Sequence, residues 1–274
     1  MVQSSSNAES TTGEAGASGP SGSQTLLRGL DMLDKVVDGP VKLADLAARM
    51  GLTRSTTHRL ANTLVKTGFL TLRAREGYLL GPKLMHLGFL AQSQADVVQI
   101  ARPHMEALAQ ETEDTVHLGR RDDDLALYLD KIPGRRRVDI SSRIGDRHPL
   151  TSTGLGKALL LDDPESQWKA QFQADRARGA PRADYRPWAE RMRIYAAEGY
   201  AYDLEENEDL IRCVAAPVRD ASGGIVAAIS VSSAAQYMDD SRMETLRAEV
   251  RDVARAISLD LGWDPVAAPT PRRP

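Results

Sequence analysis

Apolar residues first recur at helical spacing once the chain leaves its polar start. Leu26, Leu27, Leu30, Leu33, Val36 and Val37 keep that spacing until Asp38-Gly39-Pro40 ends it. Leu43, Leu46, Ala47 and Met50 predict a short second helix closed by Gly51. Thr53 can cap a third through its hydroxyl, and Thr57, Leu60, Ala61 and Leu64 give it one apolar face. Gly68 stops it. Phe69–Arg73 and Tyr78–Leu80 flank Ala74–Gly77 and read as a β-hairpin. Helix, helix, turn, helix and hairpin in this order is the layout of a winged helix-turn-helix.

Pro82 to Gln94 and Asp96 to Gln110 keep the helical period. From Thr115 the period changes. Val116–Leu118, Leu125–Leu129 and Val138–Ile140 read as strands, and helices are expected over Thr153–Leu161, Pro164–Phe172 and Trp188–Glu198. Three more strands, Tyr200–Leu204, Cys213–Val218 and Ile225–Ser232, precede a long closing helix from Asp239 to Ser258. Strands between flanking helices predict an α+β sheet domain covered on one face. The expected domains are a winged helix-turn-helix over 24–82, a linker helix over 83–97 and the sheet domain over 98–262. Residues 1–23 hold no large apolar side chain after Val2, and Pro265–Pro274 carries four prolines, so 1–23 and 263–274 are expected to be disordered tails.

The 274 residues, 42% hydrophobic and 27% charged, are enough for two domains with cores and exclude wholesale disorder. No run approaches the roughly 18 apolar residues of a membrane span, and the start lacks the basic and apolar regions of a secretory signal. A single cysteine, Cys213, fits a reducing compartment, so a soluble cytoplasmic protein is expected. Charge adds an asymmetry. Gln24–Leu90 holds 10 Lys or Arg against 5 Asp or Glu, whereas Ala91–Trp263 holds 23 against 30. A basic small module beside an acidic larger one suggests a polyanion partner for the first.

The third helix has the chemistry for that partner. Opposite its apolar face lie Ser55, Arg59, Asn62 and Lys66, with Arg54, Thr56 and His58 on the flanks. Arginine suits guanine, asparagine suits adenine, and the hydroxyls adapt to either. Arg73 and Arg75 sit at the hairpin tip, within reach of a phosphate or the minor groove. Arg54, Ser55, Thr56, His58, Arg59, Asn62, Arg73 and Arg75 are therefore the expected contacts to double-stranded operator DNA.

The stretch Ala44–Leu64 resembles the helix-turn-helix of the IclR-type bacterial transcriptional regulators. Gly68-Phe-Leu and Gly77-Tyr-Leu-Leu-Gly-Pro-Lys-Leu resemble that family's wing and linker start. Glu111-Thr-Glu-Asp-Thr-Val-His-Leu, Ser152-Thr-Gly-Leu-Gly-Lys-Ala-Leu-Leu and Ile211-Arg-Cys-Val-Ala-Ala-Pro-Val are similar to further blocks of it, in the same order. The resemblance, over 24–262, implies a GAF-like effector-binding domain with a pocket above its sheet. It places Gly154, Leu155, Asp203, Cys213, Ser230 and Ser232 in that pocket, with Val138 or Ile140 as its apolar wall. Leu155 stands where relatives often carry alanine, which is expected to alter the pocket volume. The chemistry is coherent on its own: Ser230 and Ser232 are two apart on one strand and face the same side, and Gly154 opens a helix whose N–H groups can meet a carboxylate. The implied ligand is a small organic acid, with a sugar acid suggested by Lys131-Ile-Pro-Gly and the block at Ser152. The implied protein is a ligand-responsive repressor. Leu84, Leu87, Gly88 and Leu90 form a stripe with no partner in the small module, which predicts a dimer or a dimer of dimers.

Other signals fail on inspection. Gly154-Leu-Gly-Lys157 breaks the phosphate-loop pattern at both ends, with Thr151 at the first glycine position and Ala158 after the lysine. Ser166-Gln-Trp-Lys169 has an acyl-enzyme spacing but no companion motif. His58, His86, His104, His117 and His148 show no metal-ligand spacing, so no metal or cofactor is expected. An enzyme using Cys213 or Ser166 would need a nearby base that the sequence does not indicate. Arg135-Arg136-Arg137 reads as a solvated turn.

Overall fold

A computed structural model describes residues 21–265 except 139 and 181–182. The chain divides into two compact units on either side of Gln94/Ala95. Within the described residues no helix is long and apolar enough to cross a membrane.

The first unit opens with α1 (Ser21–Asp34), α2 (Leu43–Met50) and α3 (Arg54–Lys66). Helix α1 starts inside the stretch expected to be a tail, and only part of its apolar stripe is used. Met32 and Val36 are buried, whereas Leu26, Leu27, Leu30 and Val37 stay exposed. Gly51 ends α2 in the left-handed conformation, its N–H reaching the carbonyls of Ala47 and Ala48. The Thr53 hydroxyl caps α3 by accepting from the Thr56 N–H. Thr57 and Ala61 turn inward, against a core of Met32, Val36, Val41, Leu46, Leu70 and Tyr78.

The wing is β1 (Leu70–Arg73) against β2 (Gly77–Leu80), antiparallel with Leu70 opposite Leu80. Val41 adds a third rung that periodicity did not reveal, exchanging two backbone hydrogen bonds of 2.8 Å with Tyr78. Gly77 makes this possible: a Cβ there would lie 2.3 Å from the Val41 carbonyl oxygen. Helix α4 (Pro82–Gln94) closes the unit and buries none of its residues.

In the second unit α5 (Val97–Thr112) is capped by the Asp96 carboxylate, which accepts from the Val98 N–H. The strands are β3 (Thr115–Asp122), β4 (Leu125–Ile132) and β5 (Arg147–Pro149), then, after α6 (Gly154–Leu159), α7 (Glu165–Ala177) and α8 (Tyr185–Glu198), β6 (Ala201–Leu204), β7 (Ile211–Arg219) and β8 (Ile225–Ala234). Helix α9 (Asp240–Asp260) ends the fold. The sheet runs β5-β4-β3-β8-β7-β6, antiparallel at every pairing.

Two expectations are corrected here. Val138 and Ile140 lie in the loop between β4 and β5, not on a strand, and Asp139 between them is outside the described residues. The sheet edge is built by Arg147–Pro149 instead. The sheet is also covered on both faces, not one. Val116, Leu118, Val214, Ala227, Ile229 and Val231 pack against α5 and α9. On the opposite face Ala126, Tyr128, Ala201, Ala215 and Ala228 meet α6, α7 and α8, with Trp168, Phe172 and Trp188 filling the layer.

Arg136 is not a solvated residue either. Its Nε lies 2.9 Å from Oδ1 of the fully buried Asp114, whose other oxygen takes Arg242, and its guanidinium stacks over Tyr237. These contacts anchor the loop that follows β4.

Candidate nucleic-acid interface and small-ligand cavity

Helix α3 exposes Arg54, Ser55, His58 and Arg59 to solvent, with Thr56 and Asn62 half-buried. The Thr53 hydroxyl bonds those of Ser55 (3.1 Å) and Thr56 (3.0 Å), which fixes the start of the helix. Asn62 Nδ2 lies 3.3 Å from His58 Nε2, one turn back, so these two side chains act as a pair. In the wing, Arg73 Nη1 bonds Glu76 Oε2 at 2.9 Å, whereas Arg75 has no ion pair among the described residues. Arg59 also edges an apolar groove of 540 Å³ between α1 and α3, with Leu26, Leu30, Leu60 and Leu64 along its walls.

The second unit holds a small, partly open cavity of about 40 Å³ on the α6 side of the sheet. Every strand contributes to it, and one residue from each is polar or aromatic: His117 from β3, Tyr128 from β4, His148 from β5, Asp203 from β6, Cys213 from β7 and Ser232 from β8. Strand alternation puts them on the face opposite Val116, Val214 and Val231. Asp203, Cys213 and Ser232 form one cross-strand row, each directly opposite the next. Ile140, Ser141 and Ser142 roof the cavity from the β4–β5 loop. Lys131 holds that roof, donating from Nζ to the carbonyls of Ile140 (2.6 Å) and Ser142 (2.8 Å).

Of the expected pocket residues, Ile140, Asp203, Cys213 and Ser232 line the cavity. Val138, Gly154, Leu155 and Ser230 do not. Val138 sits further out on the loop, its N–H bonded to the Arg136 carbonyl. Ser230 is one pair along, opposite His117 and Ala215. Leu155 points into the core, where Gly119 makes room for it: a Cβ at Gly119 would meet a Leu155 methyl at 2.8 Å. Leu155 therefore does not set the cavity volume. Gly154 packs behind Cys213, and its N–H points at the sulfur. The Gly156 N–H is taken by the Thr153 hydroxyl, so the start of this six-residue helix is already partnered.

The electrostatics of the cavity follow from burial. His117 bonds the Ser142 hydroxyl through Nε2 (2.8 Å), and its Nδ1 has no partner among the described residues. Burial drives its pKa down to about 3, with Lys131 and His148 adding to the effect, so the ring is neutral. His148 is lowered too, again mainly by burial, and its Nε2 is likewise unpartnered. Tyr128 stacks between the two rings, 5.1 Å from His117 and 4.7 Å from His148. Burial raises the Asp203 carboxyl to about 6, opposed by Lys157. Asp203 Oδ1 accepts the N–H groups of Glu206 (2.8 Å) and Asn207 (3.4 Å). Burial pushes the Cys213 thiol up to about 12, which removes it as a nucleophile at neutral pH.

Lys157, set aside with the failed phosphate loop, is a structural residue. Fully buried, it donates to the Tyr202 carbonyl (2.9 Å) and pairs with Glu206, which also takes Arg191. That network fixes the loop carrying Asn207 and Glu208 into the cavity, a loop bounded by Glu205 and Leu210 in left-handed backbone. His117, Tyr128, Ser142, His148, Asn207 and Glu208 were missed as site residues. One signal pointed to the first: a polar residue alternating with Val116 and Leu118 must face away from their core.

Residues 25–74 match the model of the IclR helix-turn-helix domain, and residues 89–259 match that of the bacterial transcriptional regulator IclR C-terminal domain. The chain belongs to the IclR family. It is 32% identical to the transcriptional regulator XynR of Escherichia coli over 88% of this chain and 98% of that protein. It is 31% identical to the transcriptional repressor YiaJ of the same organism, over 89% and 90% of the two chains. The repressor BlcR of Agobacterium tumefaciens superposes with a TM-score of 0.75 at 25% identity, covering 88% of this chain and 98% of that one. Members of the IclR family are DNA-binding transcriptional regulators, not enzymes, and the first unit of this chain is its helix-turn-helix DNA-binding domain.

Proposed function

We propose that this IclR-family regulator is a repressor whose operator affinity is set by a small organic acid held in the cavity of its second unit. One observation carries this reading: six strands converge polar or aromatic side chains on one cavity under the β4–β5 loop, and two buried histidine nitrogens there have no hydrogen-bond partner among the described residues. Buried polar atoms left unpaired in a native fold call for a ligand or ordered water. The sign of regulation rests on two similar proteins being named repressors.

In this reading Arg54, Arg59 and Arg75 supply affinity for double-stranded DNA, and Ser55, Thr56, His58 and Asn62 read bases in the major groove. Arg73 reaches the backbone once it leaves Glu76. The protein acts as a dimer, or a dimer of dimers, so that two α3 helices meet the half-sites of a pseudo-palindrome. Met85, Leu87, Phe89 and Leu90 on α4 are exposed and are the surface for self-association.

The test is an operator-shift titration with a panel of organic acids. Wild type is expected to lose or gain affinity with one of them, and Asp203→Ala and Ser232→Ala to bind operator without responding. Variants that respond as wild type does would place the effector elsewhere.

A further inference from the structure

We infer that Asp130 is the residue that passes the position of the loop over the cavity to the DNA-binding unit, by holding Arg102 on the part of α5 that leads out of the second unit. This rests on the cavity being the effector site, and names how the state of that site is passed on.

Strand β4 carries a bulge where the two contacts diverge. His117 stands opposite Lys131 and Leu118 opposite Asp130, but Gly119 stands opposite Tyr128, so Leu129 is an extra residue. Strict alternation from Tyr128, which lines the cavity, would turn Asp130 toward the cavity and Lys131 away from it. The extra residue reverses this. Lys131 shares the face of His117 and reaches the carbonyls of Ile140 (2.6 Å) and Ser142 (2.8 Å) over the cavity. Asp130 shares the face of Leu118, which packs against α5 and α9. Two neighbours on one strand therefore hold the loop on one face of the sheet and a helix on the other.

The hold on the helix is a buried ion pair. Asp130 is 2% exposed, and its two oxygens accept from Arg102 Nη1 at 3.2 and 3.0 Å. Oδ1 also accepts the Lys131 N–H at 2.9 Å, which fastens the acid to the residue that holds the loop. A buried carboxylate left without its cation is costly, so β4 and this part of α5 shift together rather than separate.

Arg102 sits where α5 is weakest. It directly precedes Pro103, which offers no N–H to the carbonyl of Gln99 one turn back. One helical bond is therefore missing where the stretch Val97–Arg102 joins the rest of α5. Only Ala95 and Asp96 separate that stretch from the end of α4. A displacement of the loop, carried by Lys131 and Asp130, reaches this stretch before the body of the helix.

The experiment is hydrogen exchange of the full chain, read on peptides covering 140–146, with and without a DNA duplex that wild type selects from a random-sequence library. Duplex binding is expected to change exchange there about fivefold or more in wild type, the lower end of ordinary coupling. Arg102→Gln is expected to bind the duplex and lose most of that change, and Arg102→Lys, which keeps a cation for Asp130, to retain it. Should Arg102→Gln fail to fold, Asp130→Asn keeps an oxygen for the Lys131 N–H and is expected to show the same loss. An unchanged 140–146 in wild type, or a full duplex-dependent change in Arg102→Gln, overturns the inference. The effector reading is followed on the same proteins through the duplex Kd in pyruvate, glycolate and gluconate. A shift that wild type and Arg102→Gln show equally overturns this inference and leaves that reading standing. No shift with any of the three, together with an unchanged 140–146, overturns both.

Discussion

Asp203 is the residue whose environment is most at odds with its charge. Its folded-state pKa of about 6 stands above the ordinary 3.8 because burial outweighs Lys157 and two N–H donors. A raised carboxyl pKa means that the folded state binds the proton more tightly than the unfolded state. Stability is therefore lost as pH rises from about 4 to 6, by about 3 kcal/mol for a shift of about two units. Asp203→Asn keeps an oxygen for the Glu206 and Asn207 N–H groups and removes the charge. The variant is expected to melt several degrees above wild type at pH 8, at roughly 2–4 °C per kcal/mol, and the gap to close by pH 4. A gap independent of pH would show that Asp203 is not desolvated as described. At the other site, Arg59 projects from α3 with no ion pair among the described residues. Arg59→Ala is expected to weaken operator binding by about 1–3 kcal/mol at matched salt, measured by anisotropy. Unchanged affinity would contradict the α3 docking.

At the level of elements, α6 is pressed onto β7 through a glycine. A Cβ on Gly154 would lie 2.4 Å from Cys213 Sγ and 3.2 Å from the Asp203 nitrogen. Cys213 is paired on both sides, to Asp203 and to Ser232, so the strand has no direction in which to yield. Gly154→Ala is expected to cost about 1–3 kcal/mol in urea unfolding, and Cys213→Ala in the same chain to restore part of it. Equal losses in the single and double variants would refute the contact. Long elements such as α3, α5, α8 and α9 were legible in the sequence because period and caps agree. Thr53 and Asp96 bond as N-caps in the structure. β5 was not legible, since three residues, Arg147–Pro149, carry no period and become a strand only by pairing with Leu125–Leu127. The second covered face was legible in principle: Cys213–Val218 is an almost unbroken apolar run, the mark of a strand buried on both sides. Within the cavity, Asp203, Cys213 and Ser232 came from family resemblance. His148 and Tyr128 could not be found that way, because β5 and β4 lie toward the opposite edge of the sheet from β6 and join it at the cavity only through the sheet's curl.

For the whole molecule, the charge split fits the different partners proposed for the two units. The basic one carries α3 and the wing, and the acidic one holds a cavity lined, among the described residues, by no lysine or arginine. The apolar α4 bears on assembly. Met85 and Phe89, one turn apart, are 79% and 70% exposed. Wild type is expected to run as a dimer or larger species in light scattering, and Met85→Glu with Phe89→Glu to shift it to monomer. An unshifted mass would place the interface elsewhere. The central claim is that acid and operator are linked through one protein, and linkage must be reciprocal. The direct measurement is a closed cycle: the operator Kd with and without saturating acid, and the acid Kd with and without operator duplex. The two ratios are expected to agree and to lie at about 5–150-fold. Ratios of one on both sides, with the acid bound in the cavity, would contradict the account.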